Sequence, residues 1–241
     1  MAERPVFISG AREHGYVYVK NIKFEWFPGF SVKQKQKSID SFHTNIKKVQ
    51  PSLKVLEISS KSNIELGVAL SAFNLKIKTK NDKEFSVETA FQASKVFEFG
   101  GPFIDLYDKS SKEAKKDPRL KISGRLLCFQ YFGRKWDLEP KTFFYDWLYT
   151  NALSLNTDLS REVVNYDAFT DIEFNPDKSI NCQAKSVALF VSLKKLGLLE
   201  EALSSIEKFR HIAYIEKQND VEIKKEDGAH QQINFFDDFE L

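Results

Sequence analysis

Residues 86–95 read SVETAFQASK, a stretch with the form of a helix start. Ser86 is of a type that caps helix N-termini, and Glu88 in the first turn would complement the helix dipole. At about 100° per residue, Glu88, Gln92 and Lys95 fall within an arc of roughly 60°. We therefore predict one helix that carries a carboxylate, an amide and an amine on one face, beside a mostly apolar buried face.

This polar face has two interpretations. Side chains on a helix lean toward its N-terminus, so Lys95 would reach back toward Glu88 and a ligand could meet both groups at once. The structural alternative is an ordinary amphipathic helix with a serine cap, a glutamate that complements the dipole and a lysine that extends to water. The spacing by itself is compatible with both interpretations.

Composition predicts a globular protein without strong overall charge. With 241 residues and 42% hydrophobic content, the chain can bury a substantial core, and 22 phenylalanines against one methionine indicate an aromatic-rich interior. The net charge of +2 is below that of dedicated nucleic-acid-binding domains. Lysines do concentrate in residues 31–48 and 109–121, where they could contact phosphates or simply solvate a helix face.

The reactive residue types exclude several chemistries. Cys128 and Cys182 are far apart in sequence, which favours two unpaired thiols in a reducing compartment. The sequence contains neither a signal peptide nor an apolar run of about 18 residues, so we expect a cytoplasmic protein that does not associate with membranes. The histidines lack metal-ligand spacing and glycine-rich phosphate loops are absent, which predicts neither a metal nor a cofactor.

Strand and helix patterns place the quoted stretch inside an α+β chain. Alternating apolar residues between positions 5 and 30 predict an N-terminal hairpin, and a basic amphipathic helix is expected over residues 31–48. A strand is expected within residues 53–58, and a hairpin that turns at Asn81-Asp82 would lead into the helix at 86. Further helical patterns cover residues 105–116, 118–132, 140–155, 159–166 and 184–203.

An ordered set of motifs resembles the NADAR family. The stretch SVETAFQASK is similar to that family's S-x-E-h-x-[FY]-Q-x-x-K helix, in which h is an apolar residue. The other matching segments follow in the family's order, as Leu70-Ser71-Ala72-Phe73, Gly124-Arg125, Trp136, residues 166–169 and Asn181. The resemblance runs from about residue 58 to residue 196. It implies a mostly helical α+β domain with a small antiparallel sheet and an N-terminal hairpin, without metal or bound redox cofactor.

Two further segments resemble one branch of this family. Residues 26–39, WFPGFSVKQKQKSI, and residues 145–149, YDWLY, are similar to the branch encoded beside DarT toxins, which are ADP-ribosyltransferases that modify DNA bases. NADAR proteins hydrolyse N-glycosidic bonds, on riboflavin intermediates in one branch and on ADP-ribosylated guanine in the antitoxin branch. The resemblance thus implies an antitoxin N-glycosidase that acts on ADP-ribosylated guanine in DNA and releases ADP-ribose. A cognate DarT-type toxin would be its functional partner.

The resemblance also implies a division of the chain and an altered pocket. Residues 1–57 would form N-terminal strands and a basic helix packed on the core, residues 58–210 the catalytic core, and residues 211–241 a polar tail. Three positions depart from the family's pattern: Ala72 in place of asparagine, Asn151-Ala152 in place of lysine-phenylalanine, and Phe169-Thr170 in place of tryptophan-glycine. We expect these changes to alter the pocket wall relative to the riboflavin branch.

Glu88 and Lys95 are the catalytic residues that the resemblance implies. Cleavage at the anomeric carbon passes through an oxocarbenium-like state, which Glu88 could stabilise while it activates water. Lys95 could instead attack that carbon and form a Schiff base, provided its pKa falls from about 10.4 to about 7. A close ion pair between the two side chains would oppose this attack, because it favours the charged amine. Lys61 is a second candidate for the amine.

Eight further residues complete the predicted site. They are expected to bind substrate through stacking, phosphate contacts or ribose hydroxyls, and each has a structural alternative in the core, in an ion pair or at a helix cap. These residues are Lys61, Ser71, Phe73, Gln92, Arg125, Trp136, Asp167 and Asn181.

Three other functions stay open at the level of the sequence. The protein could bind ADP-ribose without turning it over, or it could hydrolyse riboflavin intermediates. It could also neutralise its toxin by direct contact, for which the acidic, aromatic residues 235–241 are the natural candidate.

Overall fold

A four-stranded sheet joins the N-terminal segment to the middle of the chain in this computed structural model, which describes residues 1–10 and 15–214. Strands β1 (Ala2–Ser9) and β2 (Val17–Phe24) pair antiparallel along their full length, which confirms the N-terminal hairpin. The last two strands are β3 (Val55–Glu57) and β9 (Ala168–Thr170); β9 pairs antiparallel with β1 and parallel with β3.

Helix α1 (Val32–Val49) forms where the basic amphipathic pattern predicts it. Ser31 caps the helix by accepting a hydrogen bond from the Gln34 amide at 3.3 Å. The apolar stripe of the helix is buried, and the Phe42 ring stacks on Phe24 of β2 with ring centroids 4.6 Å apart. The helix is therefore held on the sheet by its apolar side, while most of its lysines face water.

Two small antiparallel sheets flank the short helix α3 (Val87–Ala93). The hairpin of β4 (Lys76–Lys78) and β5 (Glu84–Ser86) leads directly into α3, as predicted. A second sheet follows it in the order β6-β7-β8. Its strands are β6 (Lys95–Phe97), β7 (Leu126–Tyr131) and β8 (Arg134–Trp136).

Two expectations about helices are wrong here. The helix that begins after Ser86 ends at Ala93, and Lys95 is the first residue of β6, where it pairs with Phe129. Residues 118–132 do not form one helix either, because Gly124 adopts a positive φ of 83° and the apolar run after it becomes the central strand of a sheet. Strand pairing on both sides outweighs helical periodicity in such a short apolar segment.

The remaining helices enclose an aromatic core. Helices α6 (Phe143–Leu155) and α8 (Gln183–Lys195) are buried around most of their circumference, and Phe144 of α6 packs against Phe129 and Trp136 at 4.8 and 5.2 Å between ring centroids. The other helices are α2 (Glu65–Ala69), a 3₁₀ helix (Ile104–Asp108), α4 (Ser111–Lys116), α5 (Arg119–Ile122), α7 (Thr157–Val163), α9 (Leu199–Leu203) and α10 (Ile206–Tyr214). The fold is thus the mostly helical α+β arrangement that the sequence predicts.

Within the described residues, none of the helices combines the length and the apolar character needed to cross a membrane. The predicted polar tail begins at residue 211, and residues 211–214 form the end of α10. Residues 215–241, with the acidic and aromatic segment, lie outside the described residues. The boundaries of the three predicted segments of the chain stay a prediction.

Candidate active site

The start of α3 is held by the loop that contains the Leu70-Ser71-Ala72-Phe73 motif. The Glu88 amide donates to the Ala72 carbonyl at 2.8 Å, and the Ser86 hydroxyl accepts from the Thr89 amide at 3.0 Å. The Phe73 carbonyl accepts from the Ser111 hydroxyl of α4 at 2.8 Å. These bonds satisfy backbone groups of the first helical turn and fix the direction in which Glu88 points.

Three side chains from this region form a hydrogen-bonded row, which we call the acid–amide–amine cluster: Glu88, Gln92 and Lys95. The Lys95 amine donates to Gln92 Oε1 at 2.7 Å, and Gln92 Nε2 donates to Glu88 Oε1 at 2.9 Å. Although α3 ends at Ala93, β6 begins close behind it at Lys95, so the Lys95 amine still reaches Gln92. The amide therefore lies between the acid and the amine.

Lys115 of α4 extends this row on the side of the acid. Its amine lies 3.6 Å from Glu88 Oε1 and 4.8 Å from the centroid of the Phe73 ring. The Glu88 side chain is only 8% exposed, whereas that of Lys115 is 55% exposed. A negatively charged ligand could therefore reach the Lys115 amine from solvent and arrive next to the buried carboxylate.

Burial changes the acid–base behaviour of the amine in the cluster. The side chain of Lys95 is half-buried, and its amine lies 4.8 Å from the centroid of the Phe91 ring. Desolvation lowers the pKa of Lys95 to about 8; Glu88 opposes this shift and Lys115 reinforces it. A fraction of about one-tenth of the amine is then neutral at pH 7.

Tyr145 of α6 connects this cluster with a second group of acids. Its ring packs edge-on against Phe91, with centroids 5.0 Å apart. Burial, followed by the negative charge of Glu88 and a weaker effect of Asp171, raises the pKa of Tyr145 well above its usual value. The phenol is therefore neutral at physiological pH and lies close to acidic groups of both regions.

The second group is a buried carboxyl pair formed by Glu57 and Asp171. Glu57 accepts from the Thr170 hydroxyl at 2.6 Å and from the Ile172 amide at 2.8 Å, while Asp171 accepts from the Glu173 amide at 3.0 Å. Burial raises the pKa of Glu57, and burial together with the charge of Glu57 raises the pKa of Asp171 to about 8. At pH 7 the pair therefore retains a proton.

Gln183, at the start of α8, links the carboxyl pair to the loop that holds Glu88. Its Oε1 accepts from the Ala72 amide at 2.7 Å, and its Nε2 donates to the Ile58 carbonyl at 2.6 Å. The same side chain also hydrogen-bonds Asp171. Sequence patterns do not place Gln183, Lys115 or the carboxyl pair at this site, because their partners are far away along the chain.

The structure brings together part of the predicted site. Glu88, Gln92 and Lys95 lie in one row, and Phe73 joins them through Lys115. Ser71 lies next to Ala72, and its buried hydroxyl has no hydrogen-bond partner among the described residues.

The other predicted residues make their contacts elsewhere, and no bond or ring contact within residues 1–10 and 15–214 joins them to the cluster. The Lys61 amine bonds the Ser60 hydroxyl, and Asp167 pairs with Lys195 at 3.1 Å.

Arg125 is paired with Glu98 on the surface, and Trp136 is packed on Trp147 in the core. Asn181 precedes α8, where its carbonyl accepts from the Ser179 hydroxyl. Their proposed contacts with substrate stay predictions.

Within the same described ranges, no three side chains of histidine, cysteine, aspartate or glutamate come together as metal ligands. Both cysteines are buried and free. The groups available for chemistry at the cluster are thus a carboxylate, an amide and an amine of lowered pKa.

Fold and cluster together define a mixed α+β protein with small sheets, an N-terminal hairpin and an acid–amide–amine cluster at a helix start. The family model described as DarT1-associated NADAR antitoxin matches residues 2–223. The chain therefore belongs to the DarT1-associated NADAR antitoxin family, which confirms the resemblance. No curated protein matches the chain.

Proposed function

We propose that this protein is an antitoxin enzyme that removes ADP-ribose from guanine bases in DNA by hydrolysing the N-glycosidic bond between them. The observation that carries the proposal is the hydrogen-bonded row in which Gln92 separates the Lys95 amine, of pKa about 8, from the Glu88 carboxylate. Membership of a family of DarT1-associated antitoxins supports the biological role. The substrate class rests on the sequence resemblance to the antitoxin branch.

The amide between acid and amine favours the nucleophilic route. A direct ion pair would keep the amine protonated, but here Gln92 accepts from Lys95 and donates to Glu88. The neutral fraction of Lys95 is then large enough to attack the anomeric carbon of the ribose attached to guanine. Burial thus brings the pKa of Lys95 most of the way from its usual value to the value near 7 that the Schiff-base route favours.

The proposed route passes through a Schiff base between Lys95 and the sugar. The Lys95 nitrogen forms a bond to the anomeric carbon, and guanine leaves with the electron pair of the broken bond and takes up a proton. The ribose ring then opens as its ring oxygen leaves that carbon and takes up the proton that the Lys95 nitrogen releases, which gives a protonated Schiff base. Water adds to the Schiff base, and its collapse releases ADP-ribose and restores the amine.

Glu88 acts as the proton carrier in this scheme. Its carboxylate can stabilise the positive charge that develops at the anomeric carbon, and it can accept a proton from the attacking water. The neighbouring Lys115 amine, mostly exposed, is placed to bind the pyrophosphate of ADP-ribose, and the Phe73 ring beside it offers a surface for a base. Lys115 thereby joins the substrate-binding residues of the proposal.

The direct test is turnover of a defined substrate. Purified protein is incubated with a single-stranded oligonucleotide that carries one ADP-ribosylated guanine, and unmodified DNA and free ADP-ribose are measured by mass spectrometry. We expect wild type and the surface control Lys23→Ala, at an exposed position of β2, to release both products at equal rates. Failure of wild type to release either product would overturn the proposed activity, and tight binding of ADP-ribose without release would identify a binding module.

A further inference from the structure

The segment of residues 109–125, which contains α4 and α5, is the most basic part of the described surface next to the cluster. It contains two acidic residues, whereas the whole chain has a net charge of only +2. Its seven basic residues are Lys109, Lys112, Lys115, Lys116, Arg119, Lys121 and Arg125. All of them except Arg119 are exposed. Because Lys115 reaches Glu88, this basic surface begins at the cluster itself.

Two large apolar side chains are exposed at the far end of this segment, one within it and one in the turn that packs against it. Phe99 is 80% exposed and Ile122 is 74% exposed. The Phe99 amide donates to the Ser123 carbonyl at 3.0 Å, so the turn after β6 is tied to the end of α5. The Phe99 ring lies against Gly124, where a Cβ atom would be 2.9 Å from it. The Glu98–Arg125 ion pair lies beside this ring, and an exposed aromatic ring next to basic side chains is the combination that single-stranded nucleic acids bind.

Phe103 connects this apolar end with the cluster. Its amide donates to the Ala93 carbonyl at the end of α3, at 2.8 Å, and Arg119 of α5 lies 4.6 Å above its ring. Phe99 also follows Lys95 by only four residues, which limits the distance between their Cα atoms to about 14 Å. A ligand bound in the cluster could therefore extend onto the surface of α5 and Phe99.

We propose that residues 109–125 together with Phe99 form a docking surface for the single DNA strand that flanks the modified guanine. The exposed lysines would contact phosphates, and Phe99 would stack on a neighbouring base. An excess of cations beside an exposed ring fits a strand that combines phosphates with flat bases better than it fits a protein partner. The inference rests on the proposed function and adds to it the surface on which the DNA strand binds.

The first test measures binding without catalysis. Fluorescence anisotropy with an unmodified single-stranded DNA oligonucleotide compares wild type with Phe99→Ala and with Phe30→Ala, which removes a fully exposed ring in front of α1. We expect Phe99→Ala to weaken binding about tenfold and Phe30→Ala to leave it unchanged. Equal affinity of wild type and Phe99→Ala, or a loss confined to Phe30→Ala, would overturn the proposed surface.

The second test separates this surface from the reaction. Turnover is measured on the modified oligonucleotide and on ADP-ribosylated guanosine, which lacks the flanking strand whose base would stack on Phe99. We expect Phe99→Ala to slow only the oligonucleotide, by about tenfold. Equal slowing of both substrates would contradict the proposed docking surface.

If wild type turns over neither substrate but Phe99→Ala still weakens DNA binding, the proposed reaction is wrong and the docking surface stands. Loss of toxin binding with unchanged DNA binding in Phe99→Ala would make it a protein interface.

Discussion

The acid–amide–amine cluster and the carboxyl pair are two polar groups in one fold that burial affects in opposite ways. Desolvation lowers the pKa of Lys95 to about 8 in the first, and it raises the pKa of Asp171 to about 8 in the second. Both shifts disfavour the charged form, so each group is partly or mostly neutral near pH 7. The two regions differ in how easily a ligand can reach them, and not in the size of their pKa shifts.

Access follows from the partners that each region uses. The carboxyl pair is closed by backbone amides and by Thr170, so its oxygens are occupied by the protein. The cluster relies on side chains alone, and it ends in a half-buried amine on one side and in the exposed Lys115 on the other. A ligand can replace such side-chain contacts without breaking the backbone structure. We therefore assign chemistry to the cluster and pH-dependent stability to the pair.

Removal of the amine should have the largest effect. Lys95→Ala is expected to lower kcat/KM on the modified oligonucleotide by about 10³-fold or more, because the proposed nucleophile is lost. Lys95→Arg should be equally inactive, since a guanidinium stays protonated. The measurement is single-turnover release of ADP-ribose, with Lys23→Ala on β2 as the surface control. Activity of Lys95→Ala within tenfold of wild type, together with loss of activity in Lys61→Ala, would transfer the role to Lys61.

Neutralisation of the acid should have the next largest effect and should change the pH profile. Glu88→Gln is expected to lower kcat/KM by about 10²-fold, in the range for a general acid or base. Glu88 raises the pKa of Lys95, so its loss should also move the acid limb of the pH profile to lower pH. A pH series of kcat/KM checks both effects. An unchanged acid limb would show that Glu88 does not influence the titrating group.

For the carboxyl pair, the prediction concerns stability. The folded-state pKa of Asp171 is raised from 3.8 to about 8, so its contribution is complete at acid pH and is lost as the pH rises to about 8. In Asp171→Asn, the slope of the unfolding free energy between pH 4 and 8 should decrease by up to about 1.4 kcal/mol per pH unit. Urea denaturation at several pH values measures this slope.

Asp167→Asn is the matched control for this series, because Asp167 is a half-exposed carboxylate that pairs with Lys195. It should change total stability by at most about 1 kcal/mol and should leave the slope as in wild type. A slope that is the same in wild type and in Asp171→Asn would contradict the proton held by the pair.

The smallest expected effect on stability is at Ser71. Its hydroxyl is buried without a hydrogen-bond partner among the described residues, so Ser71→Ala should change the unfolding free energy by less than about 1 kcal/mol, or should stabilise the fold slightly. If Ser71 binds substrate, KM should rise in the same variant. Thermal unfolding and steady-state kinetics on one preparation separate these effects, and a large loss of stability would reveal a hydrogen bond that the structure does not show.

The sequence predicts the local parts of this account. The serine cap, the hairpin before α3 and the basic helix α1 follow from residue patterns within a few positions, and the structure confirms them. The strand at Lys95 could not be predicted, because the segment that pairs with it lies more than 30 residues later and its own periodicity fits a helix. Lys115 and Asp171 were missed for the same reason: burial and charge pairing between distant segments appear only in the folded chain.

The most direct measurement of the central claim is trapping of the reaction with borohydride. Wild type, Lys95→Ala and Lys61→Ala are each incubated with the modified oligonucleotide and sodium borohydride, and the protein is digested and analysed by mass spectrometry. The account predicts an ADP-ribose adduct on Lys95 in wild type and in Lys61→Ala, and none in Lys95→Ala. Full turnover by wild type without any trapped adduct, or an adduct on another lysine, would contradict the claim that Lys95 attacks the sugar.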